Sequence, residues 1–122
     1  MYEVTITTQF SAAHRLKYLD GKYENLHGHN WVATVTVQAE KLNAMGVGID
    51  FVDLKKQTED LLSRLDYQTI NEVPPFDKIN PSAENVARWV FDELNGKIVE
   101  EGVRVSRVEV RELPDCGAAY FE

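Results

Sequence analysis

"ENLHGHNWVATVTVQAE", residues 24 to 40, reads as a strand with a pair of histidines at its entrance. From Trp31 onward the run alternates. Trp31, Ala33, Val35, Val37 and Ala39 share one side, while Thr34, Thr36, Gln38 and Glu40 lie mostly opposite. A period of two marks a strand with one buried face. His27 and His29 have the parity of the apolar set, so an extended backbone carried back through them puts both imidazoles on the core side. Side chains one residue apart in such a backbone have Cβ atoms ~6–7 Å apart, close enough for two rings to meet at one ion. The plainer alternative is a turn, with Gly28 supplying backbone freedom and the imidazoles satisfied by hydrogen bonds. The stretch by itself leaves both open.

Upstream lies a second alternating run. Tyr2, Val4, Ile6 and Phe10 share one parity, and Glu3, Thr5, Thr7 and Gln9 the other. The apolar parity continues through Ala12 to His14, which on a neighbouring strand would supply a third imidazole. Catalytic zinc takes three protein ligands and keeps a fourth position open. The two strands are joined by "KYLDGKYENLHG" (17–28), rich in turn residues. It carries Glu24, which is either a further ligand candidate or a solvated loop carboxylate.

Downstream, two helices are expected. Asp53 can cap "LKKQTEDLLSRL" (54–65), in which Leu54, Leu61, Leu62 and Leu65 fall on one side. In the second, Asn80 can cap, Pro81 suits the first helical position and Gly96 stands past the end. Ala83, Val86, Ala87, Val90, Phe91 and Leu94 form its buried stripe. The prolines of "NEVPPFDKINP" (71–81) separate the two. In the last third Val103 and Val105 share one parity and Val108 and Val110 the other, which predicts a bulge near Ser106 and Arg107. The second parity reaches Glu112, a carboxylate on an otherwise apolar face, before "LPDCG" turns the chain into "AAYFE". The fold class is therefore α+β, β-β-α-α-β-β, with a four-stranded antiparallel sheet and both helices on one face, in one domain over residues 1–122. The uncovered face and the unpaired edges predict a homo-oligomer.

With 122 residues, 43% of them hydrophobic and 27% charged, the chain suits one globular core. Its net charge of -7 argues against nucleic acid and anionic membrane as partners. No apolar run approaches the ~20 residues a spanning helix needs, and no charged-then-apolar leader pattern opens the chain. Cys116 stands alone. A reducing, cytoplasmic setting is the expectation.

Six ordered motifs, "FSAAHRL" (10–16), "ENLHGHNW" (24–31), "GIDFVDLK" (48–55), "LDYQTIN" (65–71), "NPSAEN" (80–85) and "RELPDCGAAY" (111–120), resemble the superfamily of 6-pyruvoyl-tetrahydropterin synthase and 6-carboxytetrahydropterin synthase. The resemblance implies a tunnelling fold, in which subunits pair their sheets into a β-barrel, as a hexamer, with active sites at subunit interfaces. It implies that His14, His27 and His29 bind Zn²⁺, that Glu112 anchors a pterin ring, and that Ser82 helps to hold that ring. Phe51 is expected in the core or at an interface.

Two departures bear on activity. The family usually places a cysteine base four residues before H-G-H, where this chain has Tyr23; a subgroup uses a glutamate three residues before, where Glu24 stands. That E-x-x-H-G-H pattern resembles the type III enzymes, which cleave the side chain of 7,8-dihydroneopterin triphosphate to 6-hydroxymethyl-7,8-dihydropterin for folate synthesis. The family also reads Asp-His where this chain reads Asp66-Tyr67. A phenol is a poor proton shuttle at neutral pH, so Tyr67 takes over as acid, or water does, or turnover is slow or absent. Arg15, Lys17 and Lys22 are the nearby cations for the triphosphate. The alternatives are 6-carboxytetrahydropterin synthesis on the queuosine branch, a zinc-containing pterin-binding protein without turnover, and a scaffold with a vestigial site.

Overall fold

A computed structural model describes all 122 residues. Strands β1 (Tyr2–His14) and β2 (His27–Ala39) form a long antiparallel pair, followed by helix α1 (Phe51–Leu62), a short strand β3 (Gln68–Thr69), helix α2 (Ala83–Asn95), and strands β4 (Val103–Leu113) and β5 (Cys116–Phe121). The sheet has five strands in the order β3-β1-β2-β4-β5. Its apolar parities behave as the alternation predicts: Trp31, Ala33, Val35, Val37 and Ala39 are fully buried, and Ile6, Phe10, Ala12 and His14 join them from β1. Both helices lie on that face, α2 against β4 and β5, and α1 against β1. The other face carries Thr5, Thr7, Thr34 and Thr36, whose hydroxyls pair across the strands at 3.2–3.3 Å.

The predicted bulge is present. Thr36 pairs with Arg107 and Val37 with Val105, leaving Ser106 as the extra residue, its Oγ 3.3 Å from the Thr36 carbonyl. One inserted residue reverses the facing of everything beyond it. Val108 and Val110 thereby turn inward, and Glu112, two residues on, follows them toward the core side. The β4–β5 pairing slips again around Glu112, between Arg111 and Leu113. Opposite, Gly117 is required by close approach, since a Cβ there would meet Arg111 Cγ at 2.6 Å and the Val110 carbonyl at 3.2 Å.

Three expectations are corrected. The sheet has five strands and is mixed, because Gln68–Thr69 lies parallel to Ala12–Ala13. Asp66 Oδ1 accepts from the Ser11 N–H at 2.8 Å and the Tyr67 N–H donates to the Ser11 carbonyl, so the chain is stitched to β1 over two residues, too few to show a period. Helix α1 is capped by Asp50 rather than Asp53: Asp50 Oδ1 accepts from Val52 N at 2.7 Å and Asp53 N at 3.2 Å. Its first turn presents Phe51 (64% exposed) and Val52 (74%) to solvent, so Phe51 is not a core residue of the subunit. Helix α2 is capped by Ser82, whose Oγ accepts from Asn85 N at 3.2 Å, and starts at Ala83 instead of Pro81. Asn80 is used elsewhere, its amide bonding both the N–H and the carbonyl of Lys17. Gly96 ends the helix as expected.

Asp50→Ala is expected to cost about 1 kcal/mol, lowering the thermal midpoint by roughly 4 °C for a domain of this size. Asp53→Ala should cost less than half of that. Equal losses, measured by calorimetry, would return the cap to Asp53.

Candidate metal centre and active site

The β1–β2 register places His14 directly opposite His27, and Ala12 opposite His29. Since His27 and His29 have the same parity on β2, all three imidazoles gather on the core side at one end of the pair. Ring centroids lie 4.8 Å apart for His14–His27, 5.4 Å for His14–His29 and 4.8 Å for His27–His29. One nitrogen from each lies within 4.8 Å of the others. The turn reading of H-G-H is thereby removed: Gly28 is an ordinary strand residue without a positive φ, and a Cβ there would make only a 3.7 Å contact with the Ala12 carbonyl.

The floor of the cluster is Trp31, fully buried, with its indole N–H donating to the Ala12 carbonyl at 3.1 Å. Two of the rings are oriented from behind. His14 Nδ1 lies 2.7 Å from the Pro81 carbonyl, and His27 Nδ1 2.7 Å from the Asn25 carbonyl. A carbonyl only accepts, so Nδ1 carries the proton in both rings, and in the neutral tautomer this sets, Nε2 is the nitrogen with a lone pair to offer. His14, 1% exposed, and His29 have buried Nε2 atoms with no hydrogen-bond partner. Buried polar atoms left unmade are costly. A divalent metal among the three rings satisfies that requirement, and three nitrogen donors with an approach from one side suit zinc. Burial holds the His29 imidazole below its ordinary pKa, with His14 and His27 adding to the shift and Glu112 and Glu24 opposing it. The shift favours the neutral ring, the form that ligates a metal.

Glu112 enters from β4. Its Oε1 stands 3.7 Å from His14 Nε2 and its Oε2 3.7 Å from His29 Nε2. These separations exceed hydrogen-bond length. The carboxylate faces the point where the ligand nitrogens converge, at the side of a pocket of about 280 Å³ between the first turn of α2 and the β4–β5 hairpin, lined by Ala83, Glu84, Cys116 and Gly117. Ser82 caps that same helix turn, so its oxygen accepts within the helix and only its O–H is left to donate outward.

Glu24 is placed on the opposite side by the loop. Its Oε1 accepts from Leu16 N at 2.9 Å and its own N–H donates to the Leu16 carbonyl at 3.0 Å. It is half-buried, near enough to His29 to raise that ring's pKa. Neither Asp66 nor Tyr67 forms a hydrogen bond with an imidazole within one subunit. Asp66 is occupied by Ser11, and Tyr67, at φ 58°, is 83% exposed in a cleft whose wall includes His29 as well as Ser11, Ala13, Gly28 and Asn30. A positive φ on a bulky side chain is rare and is held here by the bonds to Ser11. Sequence reasoning missed the roles of Pro81 and Asn25, because backbone carbonyls carry no sequence signal.

A family model described as 6-pyruvoyl tetrahydropterin synthase matches residues 3–122. The chain belongs to that family. Among its relatives, a putative 6-carboxy-5,6,7,8-tetrahydropterin synthase of Archaeoglobus fulgidus is 33% identical over 92% of this chain and 89% of its own length. A dihydroneopterin monophosphate aldolase of Pyrococcus furiosus is 31% identical over 88% and 87%. Among solved structures, Caenorhabditis elegans 6-pyruvoyl tetrahydropterin synthase superposes with a TM-score of 0.83 at 27% identity, covering 100% of this chain and 97% of that one. The relatives are thus named as pterin synthases and as an aldolase, and no helix of this chain is long and apolar enough to cross a membrane.

Proposed function

We propose that the protein is a zinc-dependent pterin lyase that cleaves the side chain of 7,8-dihydroneopterin triphosphate to 6-hydroxymethyl-7,8-dihydropterin, the folate-branch reaction. The observation that carries this is the carboxylate of Glu24, fixed by the Leu16 N–H and near enough to His29 to act on its charge, with Tyr23 where the family's cysteine would stand. His14, His27 and His29 would hold the zinc, which supplies Lewis-acid activation of the side-chain hydroxyls. Glu24 takes the 2′-hydroxyl proton. The C2′ carbonyl forms as the C1′–C2′ bond breaks, and the electron pair moves into the dihydropterin ring. Protonation at C1′ completes the hydroxymethyl product, and the remaining two carbons leave as a phosphorylated aldehyde. Glu112 receives the ring's amino and amide N–H groups; two charge-assisted bonds fix its orientation. The Ser82 hydroxyl donates to the same ring.

Subunits are proposed to pair sheet edges into a barrel, as a hexamer, so that the partner subunit's Asp66 and Tyr67 complete the site. Exposure of Phe51, Val52 and Tyr67 supports burial between copies. A cytoplasmic location is part of the same reading. The second reading, 6-carboxytetrahydropterin synthesis, is favoured by the name of the Archaeoglobus relative.

Incubating zinc-loaded protein with 7,8-dihydroneopterin triphosphate and identifying the pterin separates the readings. Hydroxymethyldihydropterin is expected; carboxytetrahydropterin establishes the second, and unchanged but bound substrate removes both. Glu112→Gln, in which an N–H donor faces the ring's own donors, should weaken pterin binding on the order of 10- to 100-fold with zinc content unchanged. Fluorescence titration with a pterin reads this directly.

A further inference from the structure

Beyond His14 the chain is held with unusual completeness. Asn71 bonds both the N–H and the carbonyl of Arg15, at 3.0 and 2.8 Å. Glu24 does the same for Leu16, at 2.9 and 3.0 Å, and Asn80 for Lys17, at 2.7 and 3.0 Å. Three successive backbones are thus clamped without belonging to the sheet. Arg15 and Lys17 are therefore presented from a rigid rail, and both project over one ring. The Arg15 Cζ lies 4.2 Å and the Lys17 Nζ 5.9 Å from the centroid of Tyr23. Cation–π contacts of this kind position a guanidinium while leaving its N–H donors free.

Arg15, Lys17 and Tyr23 line a cleft of about 770 Å³ that Lys78 enters from the other side. Lys22, though in the same loop, is not part of its wall. Across the sheet, Glu112 sits on β4, the histidines on β1 and β2, and this cleft at the end of β1 toward β3. That order matches a phosphorylated dihydroneopterin: ring, hydroxyl-bearing carbons, phosphate. The cleft's three cations face two carboxylates, Glu72 and Asp77. The surplus suits one phosphate group, not a chain of three.

We propose that this cleft is a phosphate-ester subsite that grips the phosphate attached directly to the substrate's side chain, with Tyr23 acting as the platform that positions Arg15. The proposal rests on the reading above that the substrate is a phosphorylated pterin. It also gives Tyr23 a task at the position where the family's cysteine would act: the residue holds a cation rather than moving a proton.

The test uses zinc-loaded protein and two charge-matched variants, Arg15→Ala and Lys22→Ala. Each removes one exposed positive charge from the same loop, so a general field effect would weaken both alike. Inorganic phosphate is titrated at low ionic strength and its binding is followed by isothermal titration calorimetry. Wild type and Lys22→Ala are expected to bind alike, and Arg15→Ala on the order of 10-fold or more weaker. Tyr23→Phe should retain binding and Tyr23→Leu lose part of it, which separates a platform from a reacting phenol. In turnover, Arg15→Ala should raise KM for dihydroneopterin monophosphate by a similar factor and leave unphosphorylated dihydroneopterin unchanged. Monophosphate and triphosphate should differ by less than about 10-fold. Equal phosphate binding by wild type and Arg15→Ala, equal losses in both variants, or a larger preference for triphosphate overturns the proposal. Arg15-dependent phosphate binding without any pterin turnover leaves the subsite standing and removes the lyase reading instead.

Discussion

His27→Ala is expected to yield a folded protein that no longer retains zinc through a chelating wash and has no measurable lyase activity. On the proposed reading the three nitrogens are the whole protein contribution to the zinc site, and a catalytic zinc with three protein ligands would need all three. Disturbing a group that merely orients a ligand costs 10- to 100-fold in metal affinity; deleting a ligand should exceed about 100-fold. His27 is the right ring to remove because it is half-buried and its Nδ1 partner is the carbonyl of exposed Asn25. His14 would be a poorer choice. It is enclosed against Trp31 at a 4.7 Å centroid distance, so His14→Ala would mix metal loss with a packing defect. Metal content by plasma mass spectrometry, alongside circular dichroism, reads the two effects apart. Zinc retained at one equivalent in His27→Ala would end the three-histidine assignment.

The gathering of the three histidines was legible because its geometry is strand geometry. Parity alone carried His14, His27 and His29 to one side of two strands, and the antiparallel register then set His14 against His27. The bulge at Ser106 was legible for the same reason: a break in parity between Val105 and Val108 has no other cheap explanation. What escaped is what long-range partners decide. "NPSAEN" contains several residues able to cap a helix, and the choice of Ser82 follows from Asn80 being drawn off to Lys17, 63 positions away. The start of α1 was hidden because Phe51 and Val52 point outward, so the apolar stripe begins one turn late. Strand β3 is a two-residue parallel pairing with Ala12–Ala13, led into by the bonds of Asp66 and Tyr67 to Ser11. Lys78 joins Arg15 and Lys17 in one cleft from a distant linker, a meeting that no local pattern announces.

Glu24→Gln should lower kcat by about 10²- to 10⁴-fold, the range a positioned general base contributes, while zinc content and thermal midpoint stay at wild-type values. The substitution is nearly isosteric. The glutamine carbonyl can keep the bond from the Leu16 N–H, and the backbone bond to the Leu16 carbonyl is untouched. The loop therefore holds its shape, and Arg15 and Lys17 on either side of Leu16 stay clamped by Asn71 and Asn80. Only proton affinity is lost. A fall in kcat with little change in KM is the expected signature, since the side chain accepts a proton in the transition state and need not contribute to ground-state binding. Tyr67→Phe gives the matching test of the other proton. If the partner subunit's phenol protonates C1′, that variant is also slowed, and mixing it with Glu24→Gln protein should restore part of the activity through hybrid interfaces whose sites have both groups intact. If water is the acid, Tyr67→Phe turns over at the wild-type rate and only Glu24→Gln is slow. Full activity in Glu24→Gln would move the base elsewhere and leave this carboxylate as a bracket for Leu16.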